Sequence, residues 1–126
     1  TSIVWNNGTK SVGNFAFTSC SSLEKISIPT SVQTIGAHVL EKCSSLEELY
    51  MPDSVTMLSF ECFKYCGFKK VRLSNNLTNL PVYLFDSCHN LKEITLPENL
   101  RNVGERAFWC CSALEKINFN NKIQSL

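Results

Sequence analysis

Apolar and polar positions recur along this chain at a fixed period. From Leu23 to Cys43 the text LEKISIPTSVQTIGAHVLEKC sets apolar residues, a proline, a glycine and a cysteine at spacings that return from Leu46 to Cys66, Phe68 to Cys88 and Leu91 to Cys111. A further copy begins at Leu114 and reaches Leu126, while Ile3, Trp5, Val12, Gly13, Ala16, Phe17 and Cys20 fill the rear slots of an earlier one. The step is 23 residues except between Leu46 and Phe68, where it is 22. A period in this range overrides local readings, because each unit is too short to bury its own apolar side and must stack on its neighbours. Residues 1–126 therefore read as one repeat domain of about five units, with partial units at both ends. The missing residue falls at Cys66-Gly67-Phe68, where glycine is expected to absorb a tighter turn.

Each unit opens with period-two alternation. Ile26 and Ile28, Leu49 and Met51, Val71 and Leu73, Ile94 and Leu96, and Ile117 and Phe119 point inward, so that Ser27, Tyr50, Arg72, Thr95 and Asn118 point out. The spacing predicts a short strand here, stopped by Pro29, Pro52 and Pro97, which lack an amide proton; Ser74 and Asn120 take that place in the other units. A second apolar pair follows at Val32 and Ile35, Val55 and Leu58, Leu77 and Leu80, Leu100 and Val103, and Ile123 and Leu126, consistent with a turn or a bent strand returning to the core. Gly13, Gly36 and Gly104, with Ser59 and Pro81 in the other units, mark a corner. Beyond it Phe17, Leu40, Phe63, Phe85 and Phe108 precede Cys20, Cys43, Cys66, Cys88 and Cys111 by three positions, a spacing that predicts one or two turns of helix. Stacked, the strands form a parallel sheet of four or five members, with the phenylalanines filling the wide side opposite.

Composition adds exclusions. With 44% apolar residues the chain has enough for a folded core, and 12 Lys and Arg against 11 Asp and Glu leave a formal charge of +1. That balance offers neither a basic nucleic-acid surface nor an acidic tail. No apolar run approaches the roughly 18 to 20 residues that span a bilayer, so direct membrane insertion is not expected. Because the chain opens and closes within a repeat, flanking units in a longer protein or end-to-end self-association through Trp5, Ile117, Phe119, Ile123 and Leu126 are both expected ways to cover its outer rungs.

Candidate chemistry is sparse. Five of the seven cysteines share one repeat phase and read as small buried core residues. Disulfides between neighbouring rungs stay open as an alternative, although an odd total leaves at least one thiol unpaired. Cys62 and Cys66 lie four apart and Cys110 and Cys111 adjoin, but a zinc site wants a second pair in the right form, and Cys62 stands where other units have Ala16, Val39, Leu84 and Ala107. His38 and His89 occupy different repeat positions, neither beside a nucleophile and an orienting carboxylate, and read as surface histidines. No phosphate-cradling loop or dinucleotide fingerprint occurs, so neither enzyme nor cofactor is expected. Asn7-Gly8-Thr9 and Asn76-Leu77-Thr78 fit the glycosylation acceptor pattern, which matters only in a eukaryotic secretory route. Phe15, Phe60, Tyr65, Tyr83 and Trp109 fall outside the inward ladders, either as a second contact patch or as cover for the turns, with Trp109 expected to be partly buried.

The outward strand positions carry the strongest interaction signal. Lys25, Glu48, Lys70, Glu93 and Lys116 alternate in sign across successive units, so opposite charges become lateral neighbours in a parallel stack. The pattern fits packing register alone, and it equally fits a polar protein-binding surface together with Tyr50, Arg72 and Thr95 one row over. Tyrosine and arginine are enriched among interface anchors, which puts Tyr50 and Arg72 first.

The stretches SLEKISIPTSVQTIGAHVLEKCSSLEELYMPDSV and NLKEITLPENLRNVGERAFWCCSALEKI resemble leucine-rich repeats of the 23-residue class in BspA-like surface proteins of bacteria and parasitic protozoa. The resemblance covers nearly the whole chain; it departs at Ser59 and Pro81, where glycine is usual, and at Val39-Leu40, where Ala-Phe is usual. It implies an α/β solenoid, a right-handed coil with short parallel strands on one face and turns or short helices on the other. It also implies a noncatalytic module of a cell-surface or secreted adhesin, whose partner is a host or extracellular-matrix protein. An intracellular interaction scaffold and a structural spacer are the alternatives.

Overall fold

The computed structural model describes Ile3, Trp5, Asn6 and residues 8–120. Among these described residues the strands are β1 (Ser11–Val12), β2 (Thr34–Ile35), β3 (Glu48–Tyr50), β4 (Met57–Leu58), β5 (Lys70–Arg72), β6 (Asn79–Leu80), β7 (Glu93–Pro97), β8 (Asn102–Val103) and β9 (Lys116–Asn120). All pairings among them are parallel. One sheet runs β3-β5-β7-β9; a second line of short strands runs β1-β2-β4 and, separately, β6-β8. The chain is thus a parallel β-solenoid whose repeats supply longer strands to the first sheet and two-residue strands to the second line.

Alternation decides what each strand buries. Leu49, Val71 and Ile94 are buried between outward neighbours, and Met51, Leu73 and Leu96 repeat the inward direction two residues on. β3 ends one residue before Met51-Pro52, and β7 ends on Pro97, as the missing amide proton requires. Ser74 replaces proline by a different device: its buried hydroxyl donates to the Val55 carbonyl at 2.6 Å and accepts from the Asn76 amide at 3.2 Å. Residues 25–28 carry Ile28 into the core without joining the sheet, which has four members among the described residues. Ile123 and Leu126 lie outside the described residues, as does Asn7 of the first acceptor pattern.

The expected helices do not form; no helix occurs among the described residues. From the glycine corner to the cysteine each unit makes two successive turns. In the first unit Ala16 N–H donates to the Gly13 carbonyl and Cys20 N–H to that of Phe17, both at 3.3 Å. The third residue of each turn, Phe15 and Ser19, has φ of 60°, which identifies type II turns. Every later unit repeats the pair, at His38 and Lys42, Glu61 and Tyr65, Tyr83 and Ser87, and Arg106 and Cys110. Rung spacing explains the outcome. Strands stack about 4.8 Å apart, whereas an α-helix is about 10 Å wide, so helices on every rung would pry the sheet open. Instead the turn backbones form a ladder of their own: Phe15, Phe17 and Ser19 donate to the carbonyls of Ala37, Val39 and Glu41 at 2.9, 3.0 and 2.7 Å.

The core is one continuous cluster. Phe63, Phe68 and Phe85 are its largest fully buried side chains. Phe85 stands between Phe63 and Phe108 with ring centroids 5.3 and 5.7 Å apart, forming the aromatic column on the side opposite the sheet.

Candidate functional site

The sheet face places the sequence-selected residues together. Strand register sets Glu48 beside Lys70, Lys70 beside Glu93 and Glu93 beside Lys116; the next row aligns Tyr50, Arg72, Thr95 and Asn118. All six candidates, Glu48, Lys70, Glu93, Tyr50, Arg72 and Thr95, therefore share one face. Glu48, Tyr50 and Lys70 are exposed, while Glu93, Arg72 and Thr95 are half-buried.

The charged row differs from expectation in its contacts. Among the described residues no pair within Glu48, Lys70, Glu93 and Lys116 closes to ion-pair distance. Instead Lys69 Nζ pairs with Glu47 Oε2 at 2.9 Å, one residue earlier in each unit, and Glu93 Oε2 accepts from Asn118 Nδ2 at 3.0 Å. Lys70 is thereby left exposed and unengaged by its lateral carboxylates.

Arg72 is held from three sides. Its guanidinium lies 4.8 Å from the centroid of the Tyr50 ring and donates to the Met51 carbonyl at 2.9 Å and to Asp53 Oδ1 at 2.7 Å. Asp53 also accepts the Asn75 amide at 2.7 Å, and these two hydrogen bonds hold its carboxyl below the ordinary value of 3.8. The result is a fixed platform: Tyr50, 67% exposed, rests on a cation tied to the proline corner. A polar, open groove of about 960 Å³ adjoins it, lined by Lys25, Glu48, Tyr50, Ser45, Gly67 and Lys69 among others. Gly67 sits where the loop is one residue short, and the reason is contact: a Cβ there would fall on the Ser44 carbonyl oxygen. Sequence reasoning missed this groove, although the shortened step was its available signal.

The cysteines are free, with Cys20 and Cys110 exposed. Cys43, Cys66, Cys88 and Cys111 each donate a thiol to a carbonyl in the preceding unit, of Phe17, Leu40, Phe63 and Phe85, at 3.2, 2.9, 3.0 and 3.2 Å. Burial pushes the Cys43 and Cys111 thiols up to about 11 and those of Cys62 and Cys88 up to about 12, and raises Cys66 as well. Protonated thiols facing carbonyls are poor nucleophiles and poor metal ligands.

His38 corrects the surface reading. Its side chain is only 17% exposed, stacked on Phe15 at 4.6 Å and met by the edge of Phe60 at 5.5 Å. Phe15 and His38 occupy the same slot of successive units, so their stacking follows from the repeat, whereas Phe60, one position ahead of that slot in the next unit, is brought against the ring by the turn geometry. Trp109 is 48% exposed, with Arg106 4.5 Å above its ring. Among the described residues no helix is long and apolar enough to cross a membrane.

Comparison with known proteins agrees with this geometry. No curated protein sequence matches the chain. A leucine-rich repeat protein from T. pallidum superimposes with a TM-score of 0.78 and 34% identity, over 84% of this chain and 50% of that one. A leucine rich cell surface protein from Faecalibacterium prausnitzii A2-165 gives a TM-score of 0.56 and 26% identity, over 75% of this chain and 31% of that one. The chain thus spans about half the length of the T. pallidum protein and about a third of the F. prausnitzii one. The family model for the BspA type leucine rich repeat region matches residues 10–126 in six copies, and the chain belongs to that family.

Proposed function

We propose that this repeat module is a noncatalytic protein-binding element of a cell-surface or secreted protein, and that it recognises its partner through the face of β3, β5 and β7. The observation that carries this reading is the platform of Tyr50 on a pinned Arg72, in register with exposed Lys70 and beside the polar groove. A large aromatic held rigid before binding loses little conformational entropy on contact, which is the property of an interface anchor. Glu48, Glu93 and Thr95 supply the polar rim, and a host or extracellular-matrix protein is the partner class. The F. prausnitzii relative, described as a cell surface protein, supports the location.

Surface plasmon resonance against purified extracellular-matrix proteins tests the reading, comparing the chain with Tyr50→Ala plus Lys70→Ala. Arg72 is left in place because it holds the Asp53 corner. The expected result is binding to a defined matrix protein, weakened at least about tenfold in a variant whose thermal unfolding is unchanged. Equal binding by both proteins overturns the assignment of the face, and binding to none overturns the matrix partner. One observation favours a second reading: seven free thiols suit a reducing compartment, where the same face would serve an intracellular scaffold. Localisation of the protein in its native cell separates the two.

A further inference from the structure

On the turn side of the solenoid, away from the sheet face, the geometry points to a binding site for a divalent transition-metal cation of the zinc class, built by His38, Glu41 and Glu61. His38 and Glu61 occupy the same slot in successive units, both in the left-handed region with φ of 58° and 56°, so their side chains leave neighbouring rungs in the same direction. Glu41 follows three residues after His38. His38 Nδ1 lies 3.0 Å from Glu41 Oε1 and 3.9 Å from Glu61 Oε2, and ligand atoms of all three lie within 4.8 Å of one another. In a tetrahedral zinc site, with bonds of 2.0 to 2.2 Å, neighbouring ligand atoms stand about 3.3 Å apart. The two distances from Nδ1 bracket that value, and with all three ligand atoms within 4.8 Å of one another, rotation of the glutamate side chains toward the ring closes the cage.

Two further features distinguish this cluster from acidic residues scattered on a surface. The imidazole is clamped: Phe15 covers one face with the planes 2° apart, and the Phe60 edge meets it at 89°. The ring therefore keeps Nδ1 aimed at the carboxylates, and the two aromatics keep bulk water off the pair. The cluster also already holds a cation. Lys64 Nζ lies 3.2 Å from Glu61 Oε2 and 3.8 Å from Asp86 Oδ2. Side-chain exposures of 16 to 23% at His38, Glu41, Glu61 and Lys64 show how far these charges are withdrawn from solvent.

The chemistry selects the ion. One imidazole nitrogen and two carboxylates are borderline donors suited to zinc, cobalt or nickel, whereas calcium takes six or more oxygens. In the metal-free form the Nδ1–H of the neutral ring donates to Glu41 Oε1. On binding, Nδ1 gives up its proton and Nε2 takes one up, so the ring changes tautomer with no net proton released, and the metal takes the proton's place between Nδ1 and the two carboxylates. Lys64 withdraws from Glu61 and keeps Asp86, and water fills the fourth position.

Zinc chloride titrated into the full chain, with Cys20→Ser and Cys110→Ser to remove the exposed thiols, is followed by imidazole nitrogen NMR and calorimetry. The expected result is one equivalent bound, with the His38 nitrogens shifted and those of His89 unmoved. Glu61→Gln weakens binding at least about tenfold with the backbone amide spectrum preserved. Lys64→Gln tightens it about threefold or more by removing the competing ammonium, a gain that misfolding cannot imitate. His38 resonances unmoved at millimolar zinc overturn the site. Zinc binding left unweakened in both Glu41→Gln and Glu61→Gln does so equally.

Discussion

Cysteine recurs at one slot because the slot needs something small, apolar and weakly donating. Each of Cys43, Cys66, Cys88 and Cys111 fills space beside the aromatic column and gives its S–H to a carbonyl one rung back that the turn would leave partly unsatisfied. Alanine would fill the space without the bond, and serine would bring a hydroxyl that is costlier to desolvate. Raised thiol pKa values make this arrangement sensitive to alkali. A thiol whose folded pKa lies above its unfolded value of 9.0 contributes stability that is complete below pH 9. That stability declines as pH rises toward the folded values of about 11 to 12. Denaturant midpoints measured from pH 8 to 11 should fall progressively above 9. Ellman labelling at pH 8 should modify Cys20 and Cys110 rapidly and Cys43, Cys62, Cys66 and Cys88 only on unfolding. Of the candidate residues, Tyr50 and Arg72 were legible in the sequence because strand alternation fixes the face; His38 was legible only in part, since the repeat puts Phe15 in its slot one rung away but Phe60 and Glu41 meet it through turn geometry.

Elements in this molecule are defined by backbone approach between rungs. A Cβ on Gly104 would lie 2.5 Å from the Val82 nitrogen and 2.6 Å from the Pro81 carbonyl carbon, and one on Gly36 would lie 2.7 Å from the Asn14 nitrogen. Gly13 occupies the same corner on the first rung, and a Cβ added there would meet nothing within 4 Å. Gly104→Ala should therefore destabilise by about 1 to 3 kcal/mol, as overpacking does, whereas Gly13→Ala should be neutral or stabilise by up to about 1 kcal/mol; urea unfolding of the two variants distinguishes them. The second line of strands shows what one imino acid decides. Gly36, Ser59 and Gly104 each donate an amide to the rung before, at 2.8, 2.9 and 2.7 Å to Val12, Ile35 and Leu80. Pro81 has no proton to give, and the line is divided between β4 and β6 at that place. Polar side chains support the ladders elsewhere: Asn102 Nδ2 donates to Asn79 Oδ1 at 2.7 Å, and Asn75 exchanges bonds of 3.0 and 2.9 Å with Glu98.

At the scale of the whole molecule, stability is cumulative along the stack, each rung covering the next. Phe85 lies mid-column, fully buried between two other rings, and Phe85→Ala should cost about 3 to 5 kcal/mol. Because neighbouring rungs depend on that contact, the variant should also broaden the urea transition, a change that calorimetry would register as a loss of cooperativity. The period, the inward ladders, the sheet register and the face on which Tyr50, Arg72, Glu48, Lys70, Glu93 and Thr95 meet were all readable from the amino-acid order. Those follow from alternation and a constant step, which are one-dimensional properties. Tertiary structure alone decided that the phenylalanine-to-cysteine segments are paired turns, since an i, i+3 spacing suits both a helix and two type II turns, and only the width of a rung chooses between them. It likewise decided which charges pair: register aligns the residues, but the reach and direction of each side chain joined Lys69 to Glu47 and gathered His38, Glu41 and Glu61 on the turn side.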